Sequence, residues 1–239
     1  MVTNRRDCIV RIGWAGIGWW LVPRLLRAQE PPEKNPLGER PAHAITLFGG
    51  QGVSGWVHRG SGLPCRWRVA DGYLEVVPRT GDLHTRQEFG DCRLHLEFWV
   101  PRMENATGQA RGNSGVYLQG RYEIQVLDSY GIEKPTYQDC GAIYETQPPR
   151  VNACKPPEQW QTYDVLFRAP RFRGGQEVEP GWVTVYQNGI LIHDRTRLKG
   201  ATRASMGGDP ARPGPLMLQD HGCPVRYRNI WIVPLENAG

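Results

Sequence analysis

Side chains that can bind hydroxyl groups and transfer protons are concentrated in residues 112–131, GNSGVYLQGRYEIQVLDSYG. This segment places Asn113, Tyr117, Gln119, Glu123 and Gln125 between runs of Val, Leu and Ile. Amides and phenols both donate and accept hydrogen bonds, which is what paired sugar hydroxyls require. A carboxyl group among them adds a candidate for proton transfer. The pattern therefore indicates a polyhydroxylated ligand, with Glu123 as the residue best suited to chemistry.

The polar and apolar residues of this segment alternate as in a β-hairpin. Successive side chains of a strand point to opposite faces. If residues 120–122 form a three-residue loop, Gln119 lies opposite Glu123 and Tyr117 lies opposite Gln125. The polar side chains then share one face, and the apolar ones face a second sheet.

Three further segments show the same alternation: CRLHLEFWV (92–100), QDH (219–221) and VRYRNIWIV (225–233). Strands that share such a face would build a wet groove in which Trp and Tyr stack on sugar rings and amides bind hydroxyls. The substrate-binding candidates are Asn113, Tyr117, Gln119, Gln125, Gln219, Arg226 and Arg228.

A retaining glucanase is a less favoured alternative. Glucanases of the laminarinase type carry a Glu-x-Asp-x-x-Glu strand, and here Glu123 and Asp128 have the outer spacing while Gln125 replaces the middle carboxylate. Five positions apart, the two carboxyl groups would need a bulge to reach one face. Retaining hydrolysis requires them ~5 Å apart, so this chemistry is disfavoured.

The candidate residues lie mostly on short predicted β-strands. Asp71-Gly72 and Asn188-Gly189 are hairpin turn signals between alternating apolar residues, and no long segment has the 3.6-residue spacing of a helix. We expect about ten strands in an all-β, two-sheet antiparallel sandwich with few short helices. The predicted strand segments are 45–48, 67–77, 92–100, the two halves of 112–131, 162–169, 182–194, 215–220 and 225–233.

Composition limits the possible partners. The 239 residues include 29 basic and 24 acidic side chains, and no block of Lys and Arg is present, which disfavours nucleic acid. Residues 1–29 resemble an export signal, with Arg5 and Arg6 before an apolar run at 9–22 that is too short for a stable membrane span. The alternative is an N-terminal tail. We expect a Pro-rich linker at 30–44, a single domain at 45–235, and export to the periplasm or the extracellular space.

Six cysteines are present, and removal of the signal would leave five, an odd number. No C-x-x-C pair occurs, so a thiolate zinc site is disfavoured. Cys140 and Cys154 flank a 13-residue loop. They could form a disulfide in an oxidising compartment or remain two small buried thiols.

Several long segments resemble the 3-keto-disaccharide hydrolase domain family. They are residues 112–131, CGAIYETQPPRVNACKPPEQWQTYDVLFRAPRF (140–172) and GPLMLQDHGCPVRYRNIWIVPL (214–235). The resemblance extends over about residues 45–235. It implies a concanavalin A-like jelly-roll sandwich, found mostly in exported bacterial proteins, and cleavage of glycosides whose glucose carries a ketone at C3.

That substrate suggests an elimination. The ketone acidifies the C2 proton, so a base can remove it, the C1 leaving group departs, and water adds later. One base, one acid and a group that stabilises the enolate are needed. The candidate acids and bases are Glu123, His95, His221, Glu97 and Asp128. Arg226, Arg228 or a bound divalent cation could carry the enolate charge. Lectin-like sandwiches often hold calcium structurally, so a calcium ion here would not by itself indicate a catalytic role.

A metal site is not required by any ligand spacing, although Glu97, Asp128, Asp220 and His221 could supply mixed oxygen and nitrogen ligands. Two other functions stay open. A carbohydrate-binding module would use the same groove without turnover. An interaction domain would present a flat face without a pocket.

Overall fold

The computed structural model describes residues 35–235, so the predicted export signal and residues 30–34 of the predicted linker lie outside the described residues. Within this range the only helical element is one 3-10 turn, Gly108–Ala110. No helix in the described part of the chain is long and apolar enough to cross a membrane.

Fifteen strands make up the regular structure of residues 35–235. They are β1 (Ile45–Phe48), β2 (Trp56–His58), β3 (Arg68–Ala70), β4 (Tyr73–Glu75), β5 (Leu83–Phe89), β6 (Cys92–Trp99), β7 (Asn113–Leu118), β8 (Tyr122–Leu127), β9 (Gln161–Arg168), β10 (Arg171–Arg173), β11 (Gln176–Glu179), β12 (Trp182–Gln187), β13 (Ile190–Arg197), β14 (Gly214–Leu218) and β15 (Arg226–Pro234).

The strands form two large sheets and one small ribbon. The eight-stranded sheet has the order β13-β12-β9-β6-β15-β4-β3, with β1 also paired to β15. The five-stranded sheet has the order β2-β5-β14-β7-β8, and β10 pairs with β11. The pairings recorded between these strands are antiparallel. The predicted all-β antiparallel sandwich is confirmed.

The core lies between the two large sheets. Leu94, Leu96 and Phe98 of β6 are fully buried, as are Val116 of β7 and Ile124 of β8. Each such side chain contributes about 1.5–3 kcal/mol on burial. The predicted separation of apolar and polar faces is therefore correct for these three strands.

Buried tyrosine hydroxyls join the two sheets, and one of these hydrogen bonds involves a core serine. The Tyr227 hydroxyl of β15 donates to Ser114 Oγ of β7 at 2.7 Å. This bond explains why a polar serine is tolerated on the apolar face of β7, since a buried hydroxyl needs a partner.

Both predicted tight turns are present. Asp71 and Gly72 join β3 to β4 with φ of 48° and 79°, and Asn188 and Gly189 join β12 to β13 with φ of 52° and 81°. Two successive residues with positive φ are the requirement of a type I′ hairpin turn.

Four strands were not predicted: β2, β5, β10 and β11. The longest of them, β5 (LHTRQEF), is buried at Leu83, Thr85 and Phe89, but exposed and charged in its centre. Because a threonine takes an inward position and the other strand positions are polar, the apolar alternation that marks a strand is weak here.

The hairpin of β7 and β8 differs from the prediction in its register. Tyr117 pairs with Glu123 and Gly115 pairs with Gln125, because the loop occupies residues 119–121, one residue earlier than predicted. The pairing is therefore displaced by two residues. An even displacement leaves every side chain on its predicted face.

The prediction of one groove built from all the polar-faced strands is wrong. Strands β6 and β15 belong to the eight-stranded sheet, whereas β7, β8 and β14 belong to the five-stranded sheet. The apolar faces of both sheets meet in the core, so their polar faces lie on opposite outer surfaces of the sandwich. Alternation predicts which face a side chain occupies but not which sheet its strand joins.

Candidate functional site

A cavity of about 400 Å³ opens on the outer face of the five-stranded sheet. Its floor is formed by the polar side of the β7–β8 hairpin. Its walls come from the 3-10 turn, from the loop of residues 128–160, from the loop of residues 198–213 and from the segment that follows β14. The lining residues are Gln109, Asn113, Tyr117, Glu123, Gln125, Tyr144, Arg203, Ala204, Gln219 and His221.

The Glu123 carboxyl group lies on the floor above Gly115. A Cβ atom added to Gly115 would lie 2.3 Å from Glu123 Oε1 and 2.8 Å from the ring of Tyr117. Cβ atoms do not approach other atoms this closely. Glycine at position 115 therefore provides the space that the carboxyl group and the phenol occupy.

Burial changes the acidity of Glu123, whose side chain is almost completely removed from solvent. Loss of hydration raises its pKa to about 8, and the negative charges of Asp82 and Glu145 act in the same direction. A hydrogen bond from Tyr117 opposes this shift without cancelling it. The carboxyl group therefore holds its proton at neutral pH, and its ionised form is an unusually strong base for a glutamate.

Tyr117 stays a neutral phenol beside this carboxyl group. Burial, and next the charge of Glu123, raise its pKa above the ordinary value. Its hydroxyl accepts a hydrogen bond from Gln219 Nε2 at 3.2 Å and lies 3.3 Å from the Arg203 carbonyl oxygen. The phenol thus connects the floor of the cavity to two of its walls.

An amide network forms the opposite side of the floor. Gln109 Oε1 accepts hydrogen bonds from Asn113 Nδ2 and Gln125 Nε2, both at 3.0 Å. Gln109 Nε2 donates to the Gln138 carbonyl at 2.9 Å. Asn113 Oδ1 is buried and has no hydrogen-bond partner among the described residues. Because an unpaired buried acceptor costs ~1–3 kcal/mol, this atom is suited to receive a ligand hydroxyl.

Two loops are fixed to the backbone of β8 at the cavity. Thr202 Oγ1 accepts a hydrogen bond from the Glu123 amide at 2.9 Å, and the Tyr144 amide donates to the Glu123 carbonyl at 3.2 Å. Arg203 and Glu145, the neighbours of these residues in sequence, form an ion pair at 3.3 Å. The Arg203 side chain is 73% exposed, so its guanidinium group is free to turn towards a ligand.

His221 lies on the solvent-exposed side of the cavity, after β14. The preceding residue, Asp220, accepts hydrogen bonds from the Gly81 and Gly222 amides, both at 2.9 Å. The Gln219 amide donates to the Gly115 carbonyl at 3.0 Å. This segment is therefore held in place by contacts on both sides of His221.

Residues 43–233 match the family profile of the 3-keto-alpha-glucoside-1,2-lyase-like domain. The chain belongs to this family. A search of curated proteins finds no match. The family and the site together support a carbohydrate-active protein, with a carbohydrate as its partner.

Solved structures of the same fold come from Parabacteroides distasonis ATCC 8503. One, described as a candidate glycosyl hydrolase, is 35% identical, with a TM-score of 0.74, and the match covers 95% of this chain and 100% of that one. A second protein with the same description is 19% identical, with a TM-score of 0.59, and the match covers 81% and 94% of the two chains. The concanavalin A-like sandwich implied by the family resemblance is confirmed.

Half of the residues predicted for the site of this family member line the cavity. They are Asn113, Tyr117, Glu123, Gln125, Gln219 and His221. Gln109, Tyr144 and Arg203 were not predicted, since they lie in loops or in the 3-10 turn, where no strand alternation marks them. Tyr144 falls within the segment 140–172 that carries the family resemblance, which was the available signal for it.

The candidates on β6 and β15 lie on the opposite surface of the sandwich. His95 Nδ1 is 2.6 Å from Asp164 Oδ1, and Glu97 Oε2 accepts a hydrogen bond from Arg228 Nε at 2.7 Å. In the same way, Arg226 Nε donates to a glutamate of β4 at 2.6 Å. The prediction that these four residues, His95, Glu97, Arg226 and Arg228, share a groove with Glu123 is wrong.

Gln119 and Asp128 are near the β7–β8 hairpin but do not line the cavity. Gln119, in the hairpin loop, donates to the Phe89 carbonyl at 3.1 Å. Asp128, just after β8, is buried and lies 3.3 Å from the Arg111 guanidinium group. Both side chains are engaged in internal contacts, so Asp128 does not provide the second carboxyl group of a retaining pair.

The four predicted metal ligands are not brought together in the described part of the chain. No group of three or more His, Cys, Asp or Glu side chains within residues 35–235 is placed to hold a metal ion. Glu97 lies in the eight-stranded sheet, whereas His221 follows a strand of the five-stranded sheet, and Asp220 accepts hydrogen bonds from backbone amides. The mixed oxygen and nitrogen site predicted from these four residues therefore does not form.

Proposed function

We propose that the protein cleaves 3-keto-glycosides at the cavity around Glu123, by removal of the C2 proton, elimination of the C1 leaving group and later addition of water. The observation that carries this proposal is the buried Glu123 carboxyl group, whose pKa is raised to about 8 in a cavity lined by amides and phenols. The amides and phenols of this cavity can hydrogen-bond to the hydroxyl groups of a sugar ring. The carboxyl group, once ionised, is basic enough to remove a proton from carbon.

Glu123 is the base. A general base works best when its pKa is near the working pH, because enough of it is ionised and each ionised group is strongly basic. The ketone at C3 lowers the pKa of the C2 proton, and Glu123 removes that proton. The resulting enolate expels the oxygen at C1, and a C1–C2 double bond conjugated to the ketone forms in the ring.

Arg203 stabilises the enolate oxygen. Sequence reasoning gave this role to Arg226 or Arg228, but both lie on the other sheet. Arg203 lines the cavity, and its guanidinium group is largely exposed beside Glu145. A positive charge held close to developing negative charge is among the largest contributions that an active site makes. Arg203 would provide it by turning from Glu145 towards the bound substrate.

His221 donates the proton to the leaving group. It lines the exposed side of the cavity, where an aglycone would lie, across from the buried floor that holds Glu123. Water then adds at C1 and a proton returns to C2, which restores 3-keto-glucose. Asn113 Oδ1, the unpaired acceptor in the floor, binds a ring hydroxyl throughout.

The test is turnover of 3-keto-trehalose and 3-keto-4-nitrophenyl-glucoside by the purified full chain, beside the unoxidised parent glycosides. We expect 3-keto-glucose only from the oxidised substrates, and loss of activity in Glu123→Gln. Glu97→Gln is the matched control, because it makes the same change on the opposite sheet.

Dependence on the leaving group tests the role of His221. A nitrophenol leaves without a proton, whereas a sugar alcohol requires one. His221→Ala should therefore slow cleavage of 3-keto-trehalose far more than cleavage of the nitrophenyl substrate. An equal effect on both substrates contradicts the assignment of His221 as the acid.

A carbohydrate-binding module without turnover is the alternative outcome. The amide network would serve binding alone equally well. No release of 3-keto-glucose, together with micromolar binding of a glycan that is weakened by Asn113→Ala, would replace the enzymatic proposal with this one.

A further inference from the structure

Two thiols converge beneath the cavity floor, in the loop of residues 128–160. Gln187 Nε2 of β12 lies 3.5 Å from Cys140 Sγ and 3.3 Å from Cys154 Sγ, and the two thiols hydrogen-bond to each other. Both cysteines are reduced. Their sulfur atoms are thus already neighbours, although 13 residues lie between them in the sequence.

The backbone holds this pair together independently of the sulfur atoms. The Cys140 amide donates to Ser129 Oγ at 2.9 Å, and the Cys154 amide donates to Asn152 Oδ1 at 3.1 Å. Asn152 Nδ2 in turn donates to the Ser129 carbonyl at 2.7 Å. Both cysteines are therefore fixed to the same point of the loop, at Ser129.

The surroundings of Cys140 favour its thiolate. Burial opposes ionisation, but hydrogen bonds from Cys154, Tyr163 and Gln187 together lower the pKa of Cys140 below its ordinary value. The Tyr163 hydroxyl is 3.2 Å from Cys140 Sγ. A thiol that ionises more readily is the better nucleophile in disulfide exchange at neutral pH.

We propose that Cys140 and Cys154 are an oxidation site that closes to an intramolecular disulfide. Cys154 is the more exposed thiol, although its hydrogen bond to Cys140 raises its pKa, so it attacks a small-molecule or protein disulfide while passing its proton through that hydrogen bond to the Cys140 thiolate. A mixed disulfide forms, and the released thiolate takes up that proton and leaves as a thiol. The Cys140 thiolate then attacks the Cys154 sulfur and releases the second thiol. The two cysteines lose two protons and two electrons, which the external disulfide receives as two thiols.

The other described cysteines lack this arrangement. Cys92 is buried, and burial raises the pKa of its thiol well above the ordinary value. Cys65 is partly buried with a raised pKa, again through burial, and Cys223 contacts a backbone carbonyl. Among the described cysteines, Cys140 and Cys154 are therefore the pair that we expect to form the disulfide. It ties the ends of the segment that carries Tyr144, a wall of the cavity.

Peptide mapping tests the pairing directly. Trypsin cuts after Arg150 but not at Lys134 or Lys155, which precede proline, so Cys140 and Cys154 fall in separate peptides, 122–150 and 151–168. After incubation of the full chain with oxidised glutathione and digestion without reductant, we expect these two peptides to be joined, with the loss of two hydrogens. Unlinked peptides, or a link to any other cysteine, overturn the proposal.

Thermal unfolding provides a second measurement. A disulfide that closes a loop of this length should raise Tm by roughly 5–10 °C in the oxidised protein relative to the reduced protein. Cys65→Ser should keep this difference and Cys154→Ser should abolish it. A difference in Tm that persists in Cys154→Ser contradicts the assignment, and so does an oxidised wild-type protein with no higher Tm.

Discussion

The outer surfaces of the two sheets carry similar side chains but differ in how those side chains are paired. On the eight-stranded sheet the Arg226 guanidinium group lies 4.2 Å from the Trp99 ring and 4.7 Å from the Tyr73 ring, and it binds Glu75 at 2.6 Å. Arg228 lies 4.0 Å from the Trp160 ring. The charges and aromatic faces of this surface therefore satisfy one another.

The five-stranded sheet leaves its corresponding groups open to a ligand. Glu123 is buried without a cationic partner, Asn113 Oδ1 has no partner among the described residues, and Arg203 is largely exposed. The cost of burying Glu123 and Asn113 Oδ1 is not fully recovered within the described part of the protein. In this protein a buried polar group without an internal partner, rather than a polar group as such, therefore marks the candidate site.

The largest effect that separates the two surfaces is the pH dependence of stability. Below the ordinary pKa of a glutamate, Glu123 is protonated in both the folded and the unfolded state. As the pH rises towards about 8, the unfolded state ionises first, so stability falls, by on the order of 4 kcal/mol in total. Glu123→Gln removes this contribution.

We therefore expect the difference in stability between Glu123→Gln and wild type to shift in favour of the variant from pH 5 to pH 8.5. Urea midpoints at the two pH values measure it. Glu97→Gln, on the opposite surface, should follow the wild-type profile. If the stability of wild type and of Glu123→Gln changed with pH in the same way, the buried carboxyl group would not be the source of the pH dependence.

A smaller effect on stability is expected from substitution of Gly115, because the Glu123 carboxyl group occupies the space that a side chain at position 115 would fill. Gly115→Ala places a methyl group 2.3 Å from Glu123 Oε1 and should destabilise the protein by about 1–3 kcal/mol while displacing the base. Turnover should fall at least tenfold. Gly55→Ala is the control, because no atom lies within 4 Å of its added Cβ. Equal effects of the two substitutions would argue against a steric role for position 115.

Two arginines, one on each surface, provide the next comparison. Arg203→Ala should lower kcat/KM by roughly 10–100-fold, about 1.4–2.7 kcal/mol of transition-state stabilisation, with little change in Tm. Arg226→Ala should leave kcat/KM unchanged and lower Tm, since it removes packing between two rings as well as an ion pair. The reverse result would move the enolate-binding role to the other sheet.

The sequence predicted the fold and the floor of the site because both depend on period-two alternation. The apolar positions of β6, β7 and β8 and the polar floor residues follow this rule, and an even error in register did not disturb it. The turns at Asn188-Gly189 and Asp71-Gly72 were also predictable from the sequence, because Gly, Asn and Asp are among the few residues that adopt a positive φ.

The walls of the cavity were not predictable in the same way. Arg203 and Tyr144 lie in long loops, and their positions depend on hydrogen bonds such as those of Thr202 and Tyr144 to the backbone of Glu123. The false candidates, for example His95, came from assigning the polar strands to one sheet. Sheet order depends on contacts between distant segments, about which local alternation carries no information.

The smallest effect expected is that of the Glu97–Arg228 pair, and it completes the comparison. Arg228 Nε lies 2.7 Å from Glu97 Oε2, and both side chains are partly exposed. Exposed ion pairs of this kind contribute about 0–1 kcal/mol to the free energy of unfolding. Glu97→Gln should therefore lower the free energy of unfolding by less than ~1 kcal/mol and leave kcat/KM within twofold of wild type. The measurements are a urea titration and a rate assay on 3-keto-trehalose. A large loss of rate in this variant would mean that the eight-stranded surface takes part in catalysis, because the small stability change leaves no other route from Glu97 to the cavity.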